Sequence, residues 1–117
     1  MTVKECYAAM GGNYDEAFTR LRSDERIARF LKKLLDDGSF ALLETSLETK
    51  DVETAFRAAH TLKGVCMNLS VTTLFESTNA ITEALRGRTE YGDELKAMFE
   101  KVKADYSRTM DSIKRLD

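Results

Sequence analysis

The chain carries one histidine, His60, in the run Ala59-His60-Thr61-Leu62-Lys63-Gly64. Residues three and four apart are neighbours on a helix surface, so on a helix Lys63 and Gly64 both border the imidazole. A free imidazole has a pKa of about 6.5, which leaves an unprotonated, nucleophilic ring nitrogen at neutral pH. A phosphoryl group placed on that nitrogen carries roughly two negative charges, and a nearby ammonium offsets them. A glycine inside a helix costs about 1 kcal/mol relative to alanine. At Gly64 the compensation is either close packing under the neighbouring helix or space, and its position beside His60 favours space, since bare backbone on the adjoining turn admits an incoming group. These residue types therefore suit phosphoryl transfer: His60 accepts, Lys63 stabilises the phosphate, and Gly64 gives access. Arg57, three residues before His60, either assists or sits in solvent. Phe56 and Met67 flank His60 between core and water. They are either peripheral core or an apolar rim for a docking partner.

The element that must position this group is the stretch Asp51 to Ser70. Val52, Ala55, Ala59, Leu62, Cys66 and Leu69 follow steps of three and four, which places them on one helix face. Asp51 suits the N-cap, and Glu53 suits the positive end of the first turn. At about 100° per residue His60 points away from the centre of the apolar stripe, so it is expected on the flank, largely in water.

The run from Ala59 to Gly64, continued to Asn68-Leu69, resembles the signature of histidine-containing phosphotransfer (HPt) domains. These are helical-bundle intermediates of two-component phosphorelays. The resemblance matches the family's phosphorylated histidine to His60 and its basic and glycine positions to Lys63 and Gly64. The motif region runs to about Arg86, where the family's helical hairpin closes. Two positions depart from the pattern. Met67 stands where the family often has a small residue, and Ser70 where a second glycine is usual.

The resemblance implies an all-α, antiparallel four-helix bundle of up-down type with additional short N-terminal helices. It is expected to fill residues 1–117 as one domain, with the central hairpin at about 52–86. It implies that an aspartyl phosphate on a receiver domain is attacked in line by the imidazole and that the phosphoryl group then passes to a second receiver aspartate. Expected partners are response-regulator receiver domains and a hybrid histidine kinase. The receiver supplies acidic residues and Mg²⁺, where transition-state charge is stabilised. No cofactor is expected on this chain, and without a Gly-rich nucleotide loop it is not expected to use ATP.

Composition narrows the alternatives. At 117 residues the chain supports one core, and 43% hydrophobic residues is ordinary for a globular protein. It has no proline, which favours long helices over a turn-rich β architecture. Net charge is −2, from 18 basic and 20 acidic residues that are interspersed, so no field for nucleic acid exists. One histidine and two scattered cysteines, Cys6 and Cys66, do not supply the four clustered ligands of a zinc site. Both cysteines read as reduced, partly buried thiols. No apolar run approaches the ~20 residues of a membrane span, and the first twelve residues lack the apolar core of a signal peptide. A monomeric, cytoplasmic protein is expected.

Around the central helix the pattern predicts six others. Thr2 to Met10 is a short helix stopped by Gly11-Gly12, with Val3, Cys6, Tyr7 and Met10 packing across the bundle. Asn13 caps a second, reaching Leu21, with Tyr14, Phe18 and Leu21 on one side. Ser23 caps a third, with Ile27, Phe30, Leu31, Leu34 and Leu35 as its buried face and Gly38 as its end. Ser39 caps a fourth, carrying Phe40, Leu43 and Leu47 to about Lys50. The partner of the central helix runs from about Thr72 to Arg86, with Thr73 and Glu76 matching a capping box and Thr72 as an alternative cap. Leu74, Thr78, Ile81 and Leu85 give it a heptad-spaced face. After a loop at Gly87 to Gly92, Asp93 opens a last helix to about Leu116. Its stripe is Leu95, Phe99, Val102, Tyr106, Ile113 and Leu116, and it spans roughly 35 Å.

Two other functional classes fit parts of the pattern. One is a non-catalytic helical adaptor that binds a signalling partner without phosphotransfer. The other is a small hydrolase with His60 as base, for which the central helix offers only Thr61, Cys66 and Glu53 in weak positions.

Overall fold

The computed structural model describes residues 1–117 and contains seven α-helices and no strand. They are α1 (Val3–Met10), α2 (Tyr14–Leu21), α3 (Asp24–Leu34), α4 (Ser39–Glu48), α5 (Val52–Asn68), α6 (Thr72–Leu85) and α7 (Glu94–Lys114). No helix is long and apolar enough to cross a membrane. The predicted caps explain several starts. Thr2 accepts from the Glu5 amide while the Glu5 carboxylate accepts from the Thr2 amide, a full capping box. Asn13, Ser23 and Asp51 each accept from the amide three residues on, which opens α2, α3 and α5.

The central helix α5 packs against α4 on one side and α6 on the other, and α7 in turn packs on α6 and α1. Its stripe is buried as the spacing predicts: Val52, Ala55, Ala59, Leu62, Cys66 and Leu69, with Ala58 added. All four heptad positions of α6, Leu74, Thr78, Ile81 and Leu85, are buried too. On α7, Leu95, Phe99, Val102 and Ile113 enter the core, and Tyr106 stacks on Phe40 of α4 with ring centres 3.9 Å apart. A single cluster of 26 buried hydrophobic residues, drawn from every helix, forms the core.

The turn between α5 and α6 is where Ser70 departs from glycine. Its φ of +55° lies in the left-handed region. Around it the Val71 amide donates to the Cys66 carbonyl at 3.0 Å and the Ser70 amide to the Met67 carbonyl at 3.2 Å. That is the two-bond helix stop in which glycine normally occupies the left-handed position. Serine there costs on the order of 1–2 kcal/mol. Its side chain offsets this. Ser70 Oγ donates to Glu16 at 2.7 Å and accepts from Arg20 at 3.1 Å. Arg20 also donates to the Met67 and Asn68 carbonyls at the end of α5. The buried Tyr7 hydroxyl donates to the Leu69 carbonyl at 2.6 Å. The two short N-terminal helices thus lock the end of the helix that carries His60.

Three local expectations are corrected, and α2 buries a residue that the pattern did not single out. On α2 the buried residue is Ala17. Tyr14 and Leu21 are only partly buried, and Phe18 is 40% exposed because a two-turn helix at the margin of the core has one residue facing inward. On α3 Phe30 is 37% exposed, while Ile27, Leu31 and Leu34 carry the burial. Ser39 lies inside α4 instead of capping it; Gly38 holds the cap position, and the Ser39 amide donates to the Asp37 carboxylate at 2.8 Å. The Thr73–Glu76 capping box does not form. Val71 holds the N-cap of α6, and Thr73 uses both its amide and its hydroxyl to donate to the Gly11 carbonyl, at 3.1 and 2.9 Å. A tertiary acceptor has won over the local one.

Candidate functional site

The site is built on the middle two turns of α5. His60 is exposed, and its ring packs at 5.8 Å, tilted by 44°, against Phe56 one turn earlier. Phe56 is half-buried at the edge of the core and carries the guanidinium of Arg86 over its ring, 5.2 Å from the ring centre. This contact is a cation–π arrangement that fixes the ring beside the imidazole. The Thr61 hydroxyl donates to the Arg57 carbonyl at 3.0 Å, so it is turned to its own helix backbone.

Gly64 has open space around it. A Cβ built on it meets no heavy atom within 4 Å beyond its own helix. Nothing from α4 or α6 packs down on that point, so the glycine is not a helix-packing device. Met67, one turn beyond Lys63, is 52% exposed and supplies the apolar border at that end. An apolar groove of ≈ 440 Å³ lies further round α5, between Val65, Asn68 and Leu69 and the facing Leu21, Phe30 and Leu34. It does not include His60.

Lys63 is not a free surface lysine. Its side chain is only 21% exposed, and its Nζ lies 3.6 Å from Glu83 on α6. Packing of α6 against α5 covers the lysine stem and brings the carboxylate over it. The Arg86 guanidinium, and behind it Lys63, hold the Glu83 carboxyl below the usual carboxylate range. Arg57 stays on the solvent side and pairs within α5, at 3.0 Å with Glu53. It shares the His60 helix, but its guanidinium is committed to the preceding turn.

The arrangement is poor for hydrolysis. Thr61 is engaged with backbone, and Glu53 is paired with Arg57. Cys66 is buried, and burial pushes its thiol up to about 12, so no thiolate forms at neutral pH. No group of three or more His, Cys, Asp or Glu residues is placed to hold a metal ion. What remains is an exposed imidazole on a rigid helix, with a cation one turn away and an uncovered approach.

Glu83 and Arg86 were not distinguishable as site residues from their types. Their signal was present as an i, i+3 pair of opposite charge on the helix expected to pack against α5. Which lysine that pair would face depended on the rotation of α6 against α5.

The fold and the site together define a class of all-helical proteins that present a single exposed histidine on a central helix. The family model of the Hpt domain matches residues 25–109, and the chain belongs to that family. Hpt domains act in histidine phosphotransfer of two-component signalling and interact with receiver domains and kinases. The matched span runs from the second residue of α3 through α6 and takes in most of α7, and so covers the whole region around His60. No curated protein and no solved structure matches the chain.

Proposed function

We propose that this protein is a phosphorelay intermediate in which His60 carries the phosphoryl group. An unprotonated imidazole nitrogen attacks the phosphorus of a receiver aspartyl phosphate in line. The N–P bond forms as the P–O bond breaks, and the electron pair returns to the aspartate carboxylate. A second receiver aspartate then reverses the step. Lys63 offsets phosphoryl charge, and Gly64 leaves room for the receiver's active-site edge. Phe56, Arg57 and Met67 border the approach and form the contact rim. Mg²⁺ belongs to the receiver, and this chain contributes nucleophile, cation and docking surface. The observation that carries the reading is the pairing of a lone, exposed histidine with an uncovered Gly64 inside the region matched by the family.

The finer architecture belongs to the same proposal. We read α4, α5, α6 and α7 as the up-down antiparallel four-helix bundle, with α1 to α3 as its N-terminal addition and residues 1–117 as one domain. A cytoplasmic monomer that serves a hybrid histidine kinase is the working form. The test is direct. The purified protein is mixed with candidate phosphorylated receivers and examined for acid-labile, alkali-stable label at His60. Label on the wild type that is absent from His60→Gln supports the proposal. A His60→Gln protein that still supports signalling in cells would instead indicate the adaptor role.

A further inference from the structure

Beside His60, three charged side chains on α5 and α6 form a connected set. Lys63 Nζ lies 3.6 Å from Glu83 Oε1. Glu83 accepts two hydrogen bonds from Arg86, Nε to Oε2 at 2.9 Å and Nη2 to Oε1 at 3.1 Å. Arg86 itself lies over Phe56, which packs on His60. Glu83 is therefore held by a second cation and does not depend on Lys63 for its position. Its carboxyl, held low by Arg86 and Lys63, is an anion at neutral pH.

We propose that Glu83 is a positioning residue: it holds the Lys63 ammonium while His60 is unmodified and yields it to the phosphoryl group once that group is on His60. The inference rests on His60 being the phosphoryl acceptor. Two anions then compete for one ammonium. The Lys63–Glu83 separation exceeds ordinary hydrogen-bond length, and Glu83 is half exposed, so the pair is weak. A phosphoryl group brings about two charges and three acceptor oxygens, and it is the stronger partner. Lysine's flexible stem lets the ammonium swing without backbone movement. Arg86 remains on Glu83 after the exchange, so no carboxylate is left unpaired. The device keeps Lys63 neutralised in the resting protein and makes its release part of the cost of phosphorylation.

Phosphoramidate is a small phosphodonor that tests this without a receiver. The N–P bond to His60 forms as the donor's P–N bond breaks, and the departing nitrogen leaves as ammonia. Initial labelling rates are compared in wild type, Glu83→Gln, Lys63→Ala and the double variant. Glu83→Gln is expected to raise the rate about threefold, as suits a weak exposed pair, with no rise on the Lys63→Ala background and a smaller one at high salt. As a second readout, the Glu83 carboxyl carbon is followed by NMR at mildly alkaline pH, where the phosphohistidine persists. Phosphorylation should shift its signal more in wild type than in Lys63→Ala. An unchanged rate in Glu83→Gln, or the same rise with Lys63 absent, would overturn the proposal. Labelling of His60 by phosphoramidate but by no receiver would remove the relay reading and leave the Glu83 device standing. Where only a phosphorylated receiver labels His60, the same four proteins are compared with it as donor; no label from either donor would remove both.

Discussion

Gly11 and Gly64 do opposite work in this molecule. Gly11 ends α1 at φ +69°, and its carbonyl accepts both hydrogen bonds from Thr73. A Cβ there would collide with the Thr73 hydroxyl. The surroundings are tied together by hydrogen bonds: the Asn13 amide donates to the Ser70 carbonyl, the Tyr7 hydroxyl to the Leu69 carbonyl, and Arg108 of α7 to the Ala9 carbonyl at the end of α1. Gly64 has ordinary helical geometry and nothing above it. One glycine is required by the backbone and its neighbours; the other is tolerated at a cost in helix propensity and leaves an approach open. The difference separates the parts of α5. Its C-terminal end is locked by α1 and α2, while the turn bearing His60 is left uncovered on a rigid support.

The largest expected effect breaks the open region chemically and leaves the closed one untouched. His60→Gln should abolish phosphoryl acceptance, with a melting temperature near wild type, because the imidazole is exposed and its main contact is one ring. Labelling of the variant by a phosphorylated receiver would count against His60 as the acceptor.

Gly11→Ala should break the closed region. Left-handed backbone strain and the clash with Thr73 together cost about 3 kcal/mol, which lowers the melting temperature by roughly 10 °C or more. The protein that remains folded should transfer at the wild-type rate. A melting temperature within two or so degrees of wild type, by the same scaling, would show that the hub is not rigid.

Gly64 variants sharpen the contrast. Gly64→Ala should stabilise the protein by about 1 kcal/mol through helix propensity. Gly64→Gln should also keep its melting temperature, yet lose transfer, since its side chain stands in the approach to the imidazole. Melting temperature and transfer rate measured on the same Gly64→Gln preparation decide the point. A large drop in stability with near-normal transfer would place Gly64 in the packing.

Alkaline pH should act on the closed region first. The Cys66 thiol, with an ordinary value of 9.0, is pushed up to about 12 by burial, and burial also raises the Tyr7 hydroxyl. Both groups stay protonated in the folded chain where the unfolded chain ionises. Stability from Cys66 is therefore unaffected below pH 9.0 and falls as pH rises from there, by up to about 1.4 kcal/mol per pH unit. Denaturant titrations at pH 8 to 11 should show a shallower fall in Cys66→Ala than in wild type; parallel curves would contradict the assignment.

The smallest effect is at Lys63. Lys63→Ala should slow transfer severalfold with little change in stability, because its partner Glu83 keeps Arg86. Transfer rates unchanged from wild type in both directions would reduce Lys63 to a covering side chain.

Much of this was legible in the chain itself. The absence of proline, the apolar steps from Val52 to Leu69 and the caps at Thr2, Asn13, Ser23 and Asp51 determine helices and their starts, because capping and periodicity act over three or four residues. The same local rules put His60, Lys63 and Gly64 on one surface patch. Tertiary structure decided what those rules do not reach. Thr73 gave up a capping box because the Gly11 carbonyl offered a better acceptor across the fold. Phe18 and Phe30 stayed exposed although their spacing fitted a buried stripe, since burial requires a facing helix and not only a period. Lys63 lost its solvent and gained Glu83 because the packing angle of α6 on α5, which no local spacing encodes, placed one carboxylate over one ammonium.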